Sequence, residues 1–275
     1  AGVTTIAYSS DGTHLVSGSR DLTVRLWNVA TRAANALTVL SGPENVVLRV
    51  GFSPGDRYII AGSGDKTVRL WDRSFLKEQQ LSTLTGQTAR MRNIAFNPQG
   101  KFLASGDDKG VAQIWSLASG EVINTIPTFG GTMWDVTYSH DGQQLVTCSE
   151  DGKVRVWEAA TGDLIKVLGG HTRDANVSAF SPDGAYLATG SDDHTVILWN
   201  TESWQKEEVL TRPGYPGRVY TLDYSPDGRF VATGHTDHNV RLWELAPTDE
   251  GALAMSRVVT LSGHTEALFR VAFSP

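Results

Sequence analysis

The stretch Gly62–Asp72, "GSGDKTVRLWD", sets a glycine-rich turn directly before Lys66 and Thr67, the way the tail of a phosphate-binding loop is written. Such a loop requires G-x-x-x-x-G-K-[ST], in which successive backbone N–H groups wrap the phosphates and the lysine reaches the terminal one. Ile60 and Asp65 hold the two glycine positions here, and a carboxylate beside the lysine repels phosphate. After Thr67 the residues alternate as a strand does, where a helix is needed. The nucleotide reading therefore fails on chemistry and on periodicity.

The stretch also recurs. Copies stand at Gly18–Asn28 "GSRDLTVRLWN", Cys148–Glu158 "CSEDGKVRVWE", Gly190–Asn200 "GSDDHTVILWN" and Gly234–Glu244 "GHTDHNVRLWE", with a divergent one at Gly106–Ser116 "GDDKGVAQIWS". Trp27, Trp71, Trp115, Trp157, Trp199 and Trp243 are spaced by 44, 44, 42, 42 and 44 residues. A fixed period of this length marks a repeat architecture, and single motifs have to be judged by column. The column of Lys66 holds Leu22, Gly110, Gly152, His194 and His238, which no phosphate site tolerates. By column, Asp65 is the turn carboxylate, Lys66 an exposed turn residue and Thr67 the first residue of a strand.

Each period contains four short strand signals. In the fifth, an apolar segment ends at Phe180, and Ser181-Pro182-Asp183-Gly184 makes a tight turn in which proline presets φ and glycine accepts a positive φ. Strands are expected at Tyr186–Gly190, at Thr195–Trp199 and near Glu208–Leu210, the third rich in β-branched and aromatic residues. Four strands joined by tight turns form an antiparallel meander, and a meander apolar on both faces is stable only when stacked against its neighbours.

Composition fits that picture. Of 275 residues 40% are hydrophobic and 20% charged, which supplies a core and argues against disorder. The net charge of −6 offers no basic field to nucleic acid or to an anionic membrane, so neither is expected as a partner. The single cysteine, Cys148, leaves no intrachain disulfide framework. With no leader or spanning segment evident, a cytoplasmic, soluble, intracellular protein is the expectation.

The repeated Ser-Pro-Asp-Gly turns, the Asp-x-Thr-Val-x-x-Trp strands and the Gly-His pairs at Gly170-His171 and Gly263-His264 make the chain resemble the WD-repeat (WD40) β-propeller family over essentially its whole length. The Trp-Asp dipeptide itself is literal only at Trp71-Asp72. The resemblance implies an all-β propeller of four-stranded antiparallel blades. Six complete repeats are expected, at about 1–42, 43–86, 87–128, 129–170, 171–214 and 215–263. They are followed at 264–275 by the first strand of a further blade of a seven-bladed or longer array, the alternative being a six-bladed ring with one surplus strand. All of 1–275 is read as one domain.

The resemblance further implies a buried hydrogen-bonded chain of histidine, hydroxyl, aspartate and tryptophan. Only the fifth repeat carries all four, as His171, Thr189, Asp193 and Trp199. The histidine column elsewhere reads Pro43, Gln87, Phe129 and Tyr215, and Lys109 stands in the aspartate column of the third repeat, so that blade is expected to be the least well pinned.

Other constellations dissolve by column. His235, Asp237 and His238 have metal-ligand character, but both histidines fill turn positions, and neither a metal nor another cofactor is expected. Every Ser, His and Asp that could build a nucleophilic triad occupies a structural column, so the chain is read as no enzyme. Asn176-Val177-Ser178 is a formal glycosylation acceptor placed in an inner strand, where it is expected to be buried.

By resemblance, partner recognition sits on the channel rim. Aligned on the terminal aromatic of each inner strand, the residues four and six positions earlier include Arg90, Arg92, Trp134, Asn176, Arg218 and Tyr220, and the residues before the turn aspartates include Arg20, Glu150 and Asp192. Aromatic and arginine side chains are those enriched at binding hot spots. The expected function is a non-catalytic protein-interaction scaffold or sensor module of a larger multidomain protein or complex, binding a protein or peptide on the rim. The alternative is a reader of a phosphorylated or methylated peptide, with Trp134 and Tyr220 in an aromatic cage or the arginines receiving phosphate. An open blade edge or a companion domain is a further expected route of assembly.

Overall fold

A computed structural model describes residues 2–31, 36–75, 82–127, 130–211, 217–248 and 253–274. Their strands form six four-stranded antiparallel sheets, each in simple sequence order. The only other regular elements among these residues are two 3-10 turns at Pro54–Asp56 and Arg73–Phe75. The chain divides into two compact units, residues 1–138 with 160–162 and 274–275, and residues 139–159 with 163–273.

In the first unit the sheets are β1 (Val3–Tyr8), β2 (His14–Ser19), β3 (Val24–Asn28), β4 (Thr38–Leu40); β5 (Val47–Phe52), β6 (Tyr58–Ser63), β7 (Val68–Asp72), β8 (Ser82–Leu84); and β9 (Met91–Phe96), β10 (Phe102–Asp107), β11 (Val111–Ser116), β12 (Val122–Pro127). β13 (Met133–Tyr138) leads the fourth sheet, followed by β14 (Gln144–Ser149), β15 (Val154–Glu158) and β16 (Leu164–Leu168). The fifth comprises β17 (Ala175–Phe180), β18 (Tyr186–Ser191), β19 (Val196–Asn200) and β20 (Lys206–Leu210). The sixth comprises β21 (Val219–Tyr224), β22 (Phe230–His235), β23 (Val240–Pro247) and β24 (Leu253–Leu261).

The expected strands of the fifth repeat are therefore present, with ends shifted by a residue or two. Thr67 is not a strand residue: β7 starts at Val68, and the Thr67 hydroxyl instead donates to the Asp65 carboxylate at 2.6 Å. Lys66 has φ of 69°, and its whole column is left-handed, with Leu22 at 70°, Gly110 at 73°, Gly152 at 72°, His194 at 73° and His238 at 67°. The column thus carries a backbone requirement, and the turn is closed by the carboxylate before it and the hydroxyl or amide after it.

Second and third strands are buried on both faces, as in β6 and β7, whereas β16 exposes four of its five residues. The faces pack through one recurring device. A glycine on the second strand receives two apolar side chains from the inner strand of the next sheet. A Cβ on Gly18 would stand 2.5 Å from Val47 and 3.0 Å from Val50. On Gly62 it would meet Met91 at 2.4 Å, and on Gly106 Met133 at 2.7 Å. In the second unit Gly190 receives Val219 in the same way. Each close approach lets interior side chains interdigitate, and a fully buried isoleucine such as Ile59 contributes about 2 kcal/mol.

Residues 264–274 depart from expectation because they form no regular strand. They do run along the sixth sheet in the register of an inner strand. Leu268 and Val271 lie 3.1 and 3.2 Å from the position of a Cβ on Gly234, the columns that Val47 and Val50 fill against Gly18. The Val271 N–H donates to the Thr221 hydroxyl at 3.2 Å and the Phe273 N–H to the Asp223 carboxylate at 2.8 Å. Side chains of β21 hold this segment, and the Leu268 N–H donates to the His235 carbonyl at 3.3 Å.

Candidate protein-interaction surface

The buried networks fix the blade ends and so come first. In the fifth sheet the Trp199 indole N–H donates to the Thr189 hydroxyl at 2.9 Å, Thr189 meets His171 Nε2 at 2.9 Å, and His171 Nδ1 meets Asp193 at 3.1 Å. With the proton on Nδ1, every group has a partner. Burial alone would raise the Asp193 pKa, but hydrogen bonds from His171 and Thr195 hold it well below the usual carboxylate range.

The sixth sheet builds the same contact from a different column. His235, on the end of β22, meets the Thr233 hydroxyl through Nε2 at 2.7 Å and the Gly217 carbonyl through Nδ1 at 2.9 Å, and Trp243 donates to Thr233 at 2.8 Å. His235 is 2% exposed, so its reading as a turn residue is corrected: it is the imidazole of the sixth network. Asp237 is bound to Arg241, which lies four residues on. Turn carboxylates pair with arginine in this way at Asp21–Arg25, Asp65–Arg69 and Asp151–Arg155 as well.

The third sheet builds its network from other residue types. Gln87 fills the histidine position and donates to Ser105, which accepts the Trp115 indole N–H at 2.9 Å. Asp107, fully buried at the end of β10, replaces the missing turn carboxylate and accepts from Thr88, Ala89, Lys109 and Val111. Asp107 thus closes the turn that Lys109 leaves without a carboxylate, while the side-chain oxygens of Gln87 and Gln113 are buried without a hydrogen-bond partner among the described residues. Phe129 and Tyr215 lie outside the described residues.

At one end of the first, second, third, fifth and sixth sheets the residue before the turn-carboxylate column is tied to the start of the inner strand, as Asp108 N–H to the Arg90 carbonyl at 3.0 Å and Asp192 N–H to the Asp174 carbonyl at 3.0 Å. The sequence-selected residues gather there in small groups. In the first unit the Arg92 guanidinium is bound to Asp108 and lies 4.7 Å from the Trp134 ring centroid, a cation–π contact. Arg20 and Arg90 are exposed at the same ends of the first and third sheets.

In the second unit Asp192 accepts from the Asn176 amide at 2.7 Å and from Arg218 at 3.0 Å. The Asp192 carboxylate raises the Arg218 pKa still further above its usual value. Tyr220 stacks on Phe269, centroids 5.8 Å apart and planes at 13°, and Phe269 is 56% exposed. Glu150 is exposed at the turn of the fourth sheet. Asn176 is buried and its amide is consumed by Asp192 and the Val219 carbonyl, the latter at 2.9 Å.

Trp134 and Tyr220 belong to different units, and each ring already has a face against Arg92 or Phe269. Asp108, the carboxylate that orients Arg92, was absent from the sequence-selected set. The signal for it was its position before Lys109, in the same column as Arg20 and Asp192.

Among the described residues no group of three or more His, Cys, Asp or Glu is placed to hold a metal ion. Nor is any helix long and apolar enough to cross a membrane.

The family model described as WD domain, G-beta repeat matches the chain six times, at residues 1–28, 34–72, 78–116, 120–158, 162–200 and 206–244. A search of curated proteins gave no match.

Proposed function

The chain belongs to the WD40 repeat family, and from that premise we propose that it is a non-catalytic scaffold which binds a protein or peptide at the blade ends carrying Arg90, Arg92, Trp134, Asn176, Arg218 and Tyr220. WD40 repeats in general mediate protein–protein interaction. The observation that carries the site assignment is the Arg92 guanidinium held between Asp108 and the Trp134 ring. An oriented guanidinium over an indole offers directional donors and a large contact area at little further entropic cost, the combination found at interface hot spots. The turn and tryptophan columns repeat from sheet to sheet, whereas the column that holds Arg92, Trp134, Asn176 and Tyr220 carries a different residue in each, as a specific surface requires.

Affinity capture from source lysate tests this with the unmodified chain and an Arg92→Ala, Trp134→Ala, Tyr220→Ala variant, after both are shown to fold by circular dichroism. The expected result is a partner retained by the first and lost by the second. A partner retained equally by both would move recognition away from these blade ends.

A further inference from the structure

The blade ends also indicate what chemistry they receive, an inference that rests on the scaffold reading and refines it. In the second unit, an arginine six residues before the terminal aromatic of one inner strand reaches the residue before the turn carboxylate of the preceding sheet. That pair is Arg218 and Asp192, and the Asn176 amide shares the same carboxylate. The equivalent pair in the first unit is Arg90 and Gly64.

Gly64 offers Arg90 no carboxylate, and the side chains that crowd its Cβ position are those of Asn45 and Arg90. A Cβ on Gly64 would stand 3.5 Å from Arg90 Nε and 3.1 Å from Cγ and Oδ1 of Asn45. Asn45 Oδ1 accepts the Val46 N–H at 2.7 Å, so the donor that a carboxylate would meet at this place is the Arg90 guanidinium. The backbone does not demand this glycine, because Gly64 is not among the residues with positive φ. Arg90 is exposed, and its side chain has no hydrogen-bond or ion-pair partner among the described residues. The adjacent carboxylate cannot serve: Asp65 accepts from Thr67 on one oxygen and from the Glu44 N–H and Arg69 on the other.

We propose that Arg90, beside Gly64, receives a carboxylate side chain of a protein partner, which supplies from outside the group that Asp192 supplies to Arg218 from within in the second unit. Carboxylate is the ligand class because the internal equivalent is a carboxylate. Arginine meets it with parallel donors at charge-assisted strength.

The test follows the Arg90 Nε–Hε and Gly64 amide signals of the ¹⁵N-labelled chain in two-dimensional spectra. The probe is an acetylated Gly-Asp-Gly-Asp-Gly amide, titrated at low ionic strength. Saturable shifts at both signals are expected. Gly64→Asp fills the place internally and Arg90→Ala removes the acceptor's partner, and each should weaken the apparent affinity about fivefold, the scale of one exposed ion pair. The reciprocal Asp192→Gly change should create a second site, seen as new peptide-dependent shifts at Arg218.

Peptide binding unchanged in Gly64→Asp would overturn the proposal, as would shifts from inorganic phosphate with none from the peptide. If the lysate partner is lost in the triple variant while the peptide gives no shift at Arg90, the scaffold reading stands and this inference falls. If capture ignores the triple variant, the reading falls and the inference with it.

Discussion

In the fifth sheet the imidazole against the central hydroxyl comes from the loop before the blade; in the sixth it comes from the strand inside it. His171 reaches Thr189 from 18 residues upstream and continues to Asp193. His235 reaches Thr233 from two residues away and ends on a backbone carbonyl, so its turn carboxylate, Asp237, is bound by Arg241. The hydroxyl and indole need one more hydrogen-bonding group, and the fold accepts it from whichever chain position can place it there. What changes is the partner of the turn carboxylate: an imidazole relay in one sheet, and a buried guanidinium in the other.

The largest expected effect breaks the charge pair. The Arg241 side chain is 2% exposed, and Asp237→Ala removes the carboxylate bound to it, so a loss of about 4 kcal/mol is expected in denaturant titration. A loss within the range of ordinary surface substitutions would show that Arg241 finds other compensation.

Acid comes next. Burial, with the Arg241 charge nearby, outweighs the hydrogen bond to Gly217 and pulls the His235 pKa down to about 4. The folded protein resists a proton that the unfolded chain takes up near the usual pKa of about 6.5. Stability contributed by neutral His235 is therefore complete above that pH, falls as pH drops from about 6.5 to about 4 and levels off below, for a total of about 3 kcal/mol. Denaturant midpoints measured across this window should slope for the unmodified chain and flatten for His235→Gln; equal slopes would assign the acid sensitivity elsewhere.

The smallest effect concerns the fifth sheet. His171→Ala leaves Thr189 and Asp193 without one partner each, yet Asp193 keeps the Thr195 hydroxyl and two backbone amides. A loss of about 2 kcal/mol is expected by the same titration. A value as large as that of Asp237→Ala would mean the imidazole relay is worth as much as the charge pair.

Much of this was legible beforehand, and the misses share a cause. Column alignment found the strands, the turns and the complete fifth network, because those depend on residues at fixed spacing. It missed Asp107 and His235, each at the end of a second strand, because it assigned a role to a column and not to a point in space. The arginine four residues after the turn carboxylate was visible in the repeated Val-Arg-Leu-Trp and Val-Arg-Val-Trp text and was passed over.

Cys148 teaches the same lesson. It stands where five repeats have glycine, and the inner-strand residue it faces is Ala175 in place of valine, methionine or leucine. Both are fully buried in one apolar cluster. Volume lost on one strand is regained on its neighbour, which no single column reveals.

The sequence by itself determined the repeat, the four-stranded unit, the tight turns and the family, because periodicity and turn chemistry are local properties of the chain. Only the tertiary structure decided which side chains complete each network, that Arg92 lies between Asp108 and Trp134, and that Arg90 faces a glycine where Arg218 faces Asp192. Those outcomes depend on side chains from successive sheets meeting across about 3 Å, a distance that spacing along one chain does not encode.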